Sequence, residues 1–240
     1  MRAATTTPAA FDMRFVGALT PEALKAGLED GDGLITFVCP GEEEFVRTAR
    51  EAGEIMLHRD SDERGVTRVR LTPGRDPTRD IGLTTATLDL HSDRPATQRP
   101  PQVLLLWCRA AAGTGGESIL VQADAAVAAL AARDPAALAA ACDPEAAIFR
   151  TGTDEFVGPI FDIADGRVRQ VRLRFDRFVH VSIALARVLP ALEAALRDAE
   201  VSFRLRRGEG YAVRNDLWLH GRRQYDGERE LLRIMLARLH

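Results

Sequence analysis

A chain of 240 residues with 46% apolar and 28% charged residues can bury a substantial core as one domain. Its formal net charge of −3 supplies no global basic field, which argues against nucleic acid or an anionic membrane surface as partner. The cysteines Cys39, Cys108 and Cys142 are few, widely spaced and without a CxxC, so they read as reduced thiols of a cytoplasmic protein.

The N-terminal MRAATTTPAAFDMRF lacks the apolar core of a signal peptide, and no window of about 20 residues is apolar enough to span a membrane. Residues 1–10, rich in Ala, Thr and Pro, are expected to be disordered, with one domain over 11–240. Residues 19–31 predict a helix, with Thr20 as cap, Pro21 at the first helical position and Gly31 as the stop. A compact apolar strand follows at 34–39, then a helix over 40–56 with an acidic first turn that suits its dipole. The charged stretch 59–80 reads as a loop holding at most a short strand at VTRVRL.

From residue 82 onward the hydrophobic period shifts towards two. TTATLDLH (84–91), VLLLWC (103–108) and SILVQA (118–123) predict strands, and Ala-rich 122–142 a helix broken at Pro135. GRVRQVRLRFD (166–176) alternates, with Val171, Leu173 and Phe175 on one face and Arg172, Arg174 and Asp176 on the other. A helix around Pro190 (183–199) and strands in VSFRLRR, GYAVRN and ELLRIMLARL complete the chain. The pattern is α+β with a mainly β core: a β-sandwich or jelly roll with helices packed outside. Every basic residue except Lys25 is Arg. Arg204, Arg206 and Arg207 therefore read as solvated surface, lacking the interleaved aromatics of a nucleic-acid patch.

LDLHSDRP (88–95) holds the strongest chemical signal. In an H-x-D pair on a strand, i and i+2 share a face, so His91 and Asp93 can address one point. His220, after the apolar run in DLWLHGR, can supply a third ligand. Two His and one carboxylate on one face of a metal leave three positions open, the arrangement of oxygen-activating Fe(II) sites. Taken singly, His91 and His220 read more readily as polar surface or cap residues than as ligands; His58 and His180 have no carboxylate in strand phase, and His240 is terminal. Arg233 shares a strand face with Leu231 and Met235, and facing inward it would need an anion, ideally a carboxylate. The alternative is the solvent face of an edge strand. Arg172 or Arg174 could clamp a substrate carboxylate, with Asp176 as partner of an amine; in the alternative these charges face water.

Together LHSDRP, GTGGESILVQA (113–123) and NDLWLHGRRQYDGERELLRIML (215–236) resemble the Fe(II)/2-oxoglutarate-dependent dioxygenases of the taurine dioxygenase and clavaminate synthase type. The N-terminal 31–55 resembles that family's opening helix–strand–helix. The resemblance implies a double-stranded β-helix, a jelly-roll variant. It implies iron on His91, Asp93 and His220, and 2-oxoglutarate held through its distal carboxylate by Arg233 and Ser118; Arg229 could assist Arg233 but is expected to be exposed. It further implies O2-dependent oxidation of a small molecule, an amino acid or related acid, with release of succinate and CO2. The carboxylate at Asp93 argues for hydroxylation or a related oxidation, since halogenating relatives carry a small residue there. Two other classes compete: a non-catalytic jelly-roll module binding a metal or small ligand, and a zinc hydrolase, which has no need of Arg233 or the Gly-Gly-x-Ser segment.

Overall fold

Short strands dominate because runs of four to eight apolar or alternating residues are punctuated by Gly, Pro and Asp. The computed structural model describes residues 11–29, 31–76 and 78–240; the expectation for residues 1–10 lies outside them. A 3₁₀ turn (Asp12–Arg14) leads into β1 (Phe15–Ala18), α1 (Pro21–Glu29), β2 (Leu34–Val38), α2 (Glu42–Ala52), β3 (Gly53–Ile55) and β4 (Thr67–Val69). Then come a 3₁₀ turn (Ile81–Leu83), β5 (Leu88–His91), β6 (Val103–Ala110), β7 (Thr114–Gly115), β8 (Ser118–Gln122), α3 (Ala123–Arg133) and α4 (Pro135–Ala141). The chain continues through β9 (Ala147–Thr151), β10 (Asp154–Gly158), β11 (Phe161–Ala164), β12 (Arg167–Val171), β13 (Val179–Val181) and α5 (Ile183–Asp198). It closes with β14 (Glu200–Phe203), β15 (Glu209–Arg214), β16 (Trp218–Arg222), β17 (Tyr225–Asp226) and β18 (Glu230–Leu239).

Two sheets carry the architecture. The larger runs β1-β2-β15-β6-β18-β3, with β4 also paired to β18; the smaller runs β14-β8-β16-β5. Side chains from both meet in one apolar cluster: Leu104, Leu106, Tyr211, Leu231 and Met235 from the larger, Leu120, Phe203 and Trp218 from the smaller. The opposite face of the larger sheet (Leu105, Trp107, Leu232, Ile234) packs on Leu24, Leu28, Phe45 and Val46 of α1 and α2. The opposite face of the smaller sheet (Ile119, Val121, Leu219) packs on α3, α4 and α5 through Leu130, Ala137, Leu185 and Leu192. Strand alternation therefore sorts residues strictly between interior and helix-facing sides. The result is mainly β, with helices covering both outer faces. Among the described residues no helix is long and apolar enough to cross a membrane.

Several predicted boundaries shift for identifiable reasons. The helix expected over 40–56 ends at Ala52, because the backbone turns extended at Gly53 and β3 pairs with β18. The strand expected over 84–91 starts only at Leu88, since the carbonyls of Gly82, Thr84 and Ala86 are taken by the buried guanidinium of Arg222. The strand expected to 176 stops at Val171. Arg172 there is buried instead of solvated, donating to the carbonyls of Thr97 (2.7 Å) and Gln98 (3.2 Å) with its guanidinium 3.6 Å from the centre of the Phe156 ring. The strands between residues 147 and 164 were not read from the sequence: they are only four or five residues long, and in β9 and β11 the alternation of exposure is lost at the second half of the strand.

Leu232→Ala empties a fully buried site on the helix-facing side of β18. It is expected to lower unfolding free energy by about 2–5 kcal/mol in urea titration. Metal affinity should stay unchanged, because Arg233 next to it points the other way.

Candidate metal centre

The side chains expected to meet do meet. One donor atom from each of His91, Asp93 and His220 lies within 4.8 Å of the others, and this is the one such group of three among the described residues. His220 sits in the middle of β16 on the interior parity of Trp218, and β16 pairs antiparallel with β5 so that His220 stands opposite His91. Their ring centroids are 4.2 Å apart. His91 is the last residue of β5, so Asp93 is brought round by a turn, not by strand alternation as the spacing suggested. That turn places Arg94 at φ +54°, a left-handed conformation disfavoured for a side chain of this size.

The turn is held from both sides. Asn215, fully buried, accepts from the Asp93 amide (2.7 Å) and donates to the carbonyls of Asp93 (3.2 Å) and Pro101 (2.9 Å). The Ser92 amide donates to the Leu173 carbonyl at 3.0 Å, and the Leu173 amide donates back to the Ser92 hydroxyl at 3.2 Å. Asn215 was missed by sequence reasoning; its only signal was a polar residue three positions before an apolar strand.

Electrostatics prepare the three groups as ligands. Burial alone would push the Asp93 carboxyl up, but Arg233 and the two imidazoles outweigh it and hold it at about 2. Arg233 Nη1 donates to both Asp93 oxygens at 3.0 and 3.1 Å. The imidazole Nε2 atoms of His91 and His220 each lie 4.0 Å from an Asp93 oxygen. Burial lowers the pKa of His91, and it takes His220 from 6.5 to about 3, so both rings are neutral at physiological pH. His91 Nδ1 is 2.8 Å from the Asp89 carbonyl, which makes it the protonated nitrogen and leaves Nε2 with a free lone pair. Two neutral imidazoles, one carboxylate and a clustered set of lone pairs fit a divalent cation such as Fe(II).

Other assigned residues fall into two groups. Arg233 faces inward, as its phase with Leu231 and Met235 implied, and its nearest anion is Asp93. Ser118 is buried on the same interior parity, sharing a hydrogen bond with the Tyr211 hydroxyl. Arg229, expected to be exposed, is instead only 7% exposed. It lies 5.4 Å from the centre of the Tyr225 ring and in the field of Tyr211, with no carboxylate partner among the described residues. Gly115 and Gly116 adopt φ +67° and +75°, and a Cβ on Gly116 would come within 3.2 Å of the Arg229 side chain. The Gly-Gly-x-Ser segment therefore packs on Arg229.

A cavity of about 500 Å³ opens beside the triad, lined among others by His58, Asp60, Arg174, Asp176, Phe178 and Arg233. His58 had been set aside for want of a carboxylate. Its Nδ1 accepts from the Asp60 amide (3.2 Å) and lies 3.6 Å from the Asp60 carboxylate. Burial, then the Arg233 charge, lower its pKa, so it is a neutral Nε2–H donor on the wall of the metal pocket. His180 and His240 are exposed and lie outside the cavity lining.

The family described as taurine catabolism dioxygenase TauD, TfdA matches residues 11–235. The chain belongs to this family. It is a non-haem iron, 2-oxoglutarate-dependent oxygenase. Solved structures share its fold. An asparagine oxygenase in complex with Fe(II), 2S,3S-3-hydroxyasparagine and succinate is 17% identical, covering 90% of this chain and 78% of its own, with a TM-score of 0.71. PvcB of Pseudomonas aeruginosa, an Fe, α-ketoglutarate-dependent oxygenase from an isonitrile synthetic pathway, is 20% identical over 92% of this chain and 81% of its own (TM-score 0.69). The non-haem iron oxygenase OrfP, in complex with Fe, succinate and (3S)-hydroxy-L-Arg, is 13% identical over 90% and 80% (TM-score 0.67). No curated protein matches the chain.

Asn215→Ala is expected to cost about 1–3 kcal/mol of stability, because it leaves the Asp93 amide buried without an acceptor. It should also weaken Fe(II) binding by about ten- to a hundredfold, read by metal titration. A second expectation concerns pH. The unfolded chain takes up a proton on His220 near 6.5, whereas the folded chain resists until about 3. Between these values the unfolded state binds more protons, so metal-free protein loses stability as pH falls from 6.5 towards 3. His220→Asn should flatten that decline in urea midpoints measured from pH 7 to 4; identical slopes would contradict it.

Proposed function

We propose that His91, Asp93 and His220 are the iron ligands of an oxygenase that oxidises, by hydroxylation, a small polar molecule of the amino-acid class. The observation that carries this reading is a triad of a half-buried and a buried neutral imidazole with a buried ionised carboxylate, on one wall of a cavity large enough for a small substrate. We read the two facing sheets as a jelly-roll variant of the double-stranded β-helix type and residues 11–240 as one domain.

Bound there, Fe(II) would supply O2 activation coupled to oxidative decarboxylation of 2-oxoglutarate, giving succinate, CO2 and an oxidised substrate C–H bond. The protein's share is positioning. Arg233 holds Asp93 ionised and oriented between the two imidazoles. The distal carboxylate of 2-oxoglutarate had been given to Arg233 and Ser118. Because Arg233 already has Asp93, we assign that carboxylate to Arg229 together with Ser118. Support comes from a buried guanidinium without an anion, backed by Gly116, near a serine hydroxyl that Tyr211 already orients. The buried hydroxyl of Tyr225, which has no hydrogen-bond partner, offers a further donor beside Arg229. A guanidinium so placed meets a carboxylate with charge-assisted hydrogen bonds and resolves the cost of its own burial.

The arrangement also favours catalysis over a passive ligand-binding module. An oxo-acid site adjoining a metal site has no purpose in a scaffold. A zinc hydrolase would leave Arg229 and the Gly-Gly-x-Ser segment without a ligand.

Anaerobic Fe(II) titration in the presence of 2-oxoglutarate should produce a weak visible charge-transfer band. His91→Ala or Asp93→Ala should abolish it, and persistence of the band in both would remove these residues from the site. Arg229→Ala should weaken 2-oxoglutarate by about ten- to 150-fold, the loss of a charge-assisted hydrogen bond. Equal affinity in Arg229→Ala, with loss in Arg233→Ala, would return the role to Arg233.

A further inference from the structure

The wall of the metal cavity carries an ion pair that neither the iron nor 2-oxoglutarate uses. Arg174 and Asp176 both line it, two residues apart beyond the end of β12. Arg174 Nη1 donates to the Thr151 hydroxyl at 3.1 Å, its Nη2 donates to the Asp176 carboxylate, and its guanidinium lies 5.0 Å from the centre of the Phe178 ring. Its Nε is buried without an acceptor. Asp176 accepts the Phe178 amide on its other oxygen at 3.0 Å, and 34% of its side chain is exposed against 18% for Arg174. Arg174 lies near enough to the metal triad for its charge to act on His91.

The geometry of the fork matters here. A guanidinium meets a carboxylate best through two parallel N–H groups, Nε with Nη2 or the two Nη atoms. Asp176 occupies only Nη2 of the Nε/Nη2 edge, so the edge is half filled and its remaining donor is unsatisfied inside the protein. A buried donor without a partner is costly, and a ligand carboxylate along the full edge would recover that cost. Among the other charges on the wall, Arg59 is paired to Asp60 and Asp80, Arg94 to Asp154 at 3.8 Å and Arg177 to Asp76 at 3.6 Å, while Arg79 and Asp89 are exposed to water; Arg233, whose Nε also lacks an acceptor, is held by the metal-site carboxylate Asp93.

Resting on the oxygenase reading above, we propose that the Arg174–Asp176 pair is the substrate's polar anchor and opens to take a free amino acid as its zwitterion. The substrate carboxylate lies along Nε and Nη2 of Arg174, and the displaced Asp176 takes the substrate ammonium. One internal ion pair becomes two intermolecular ones, and the charge of the cavity does not change. A lone anion would strip Asp176 of its cation, and a lone cation would leave Nε unfilled, so each forfeits part of the exchange. The carboxylate must be free, which excludes an amino acid held in a peptide or as a carrier-bound ester or thioester. The substrate side chain is then left to reach the metal.

The test uses enzyme loaded with Fe(II) and 2-oxoglutarate under nitrogen, titrated calorimetrically with the protein amino acids and their common non-protein homologues. Succinate release is then followed in air. At least one free amino acid should bind, while its N-acetyl and methyl-ester derivatives weaken by about 50-fold or more. Arg174→Gln and Asp176→Asn should each show a similar loss with the visible band unchanged, and Arg174→Lys should recover only part of the affinity. The double variant should be little worse than either single one, because the two groups act as a unit. With the band intact, an ester or N-acetyl derivative that binds as well as its parent overturns the anchor. So does binding unaffected by both single variants, or no binding by any amino acid in the panel. Absence of the band in the wild type would instead overturn the oxygenase reading and the anchor with it.

Discussion

A carboxylate buried between a guanidinium and two imidazoles is the interaction on which this molecule's site depends. Asp93 is 7% exposed, and isolation of its charge at that depth would cost several kcal/mol. Arg233 offsets that cost and keeps the group ionised, while the same burial strips protons from His91 and His220. The three groups are thereby left in the protonation states that a divalent cation needs, without any motion of the chain. The imidazoles and the carboxylate crowd together at distances that are tolerable only because no two of them carry like charge.

Much of the surrounding polar structure serves to keep that turn in place. Asn215 fixes the Asp93 backbone, Arg172 binds the carbonyls of the loop that follows, and Arg222 binds those of the loop that precedes β5. Burial lowers the pKa of both Arg172 and Arg222 to about 10, yet each remains charged at neutral pH because main-chain oxygens replace water around it. These arginines are struts. Arg229 and Arg174 differ in place: Arg229 is buried with no carboxylate partner among the described residues, and Arg174 lines the metal cavity with its Nε unfilled.

Strand parity then decides what the site contains. On β8 Ser118 and Leu120 face between the sheets, on β16 Trp218 and His220, on β15 Tyr211 and Val213, on β18 Leu231, Arg233 and Met235. Ile119, Val121, Leu219, Leu232 and Ile234 face the helices and close the outer layers. One fold thus buys two things with the same alternation, an apolar filling for most of the sandwich and a polar end where His, Ser, Tyr and Arg replace Leu.

What was legible in the sequence was whatever depends on local period and spacing. The apolar runs of β2, β6 and β8, the break at Pro135, the helix around Pro190 and the shared face of Leu231, Arg233 and Met235 all follow from nearest neighbours along the chain. The H-x-D with a distant His could be read because the chemistry demands those residue types. What lay beyond reach were contacts between segments far apart. The burial of Arg229 and Arg172, the placing of His58 beside Arg233, and the brace from Asn215 to a turn 122 residues away each depend on how loops fold over the sheets. A lone Arg or Asn has the same sequence signature on the surface as in a pocket. The chain by itself thus determined which groups could bind a metal and which strand faces they share. Only the tertiary structure decided which guanidinium meets the carboxylate and which stays free, because that choice depends on desolvation and on partners brought in from elsewhere in the fold.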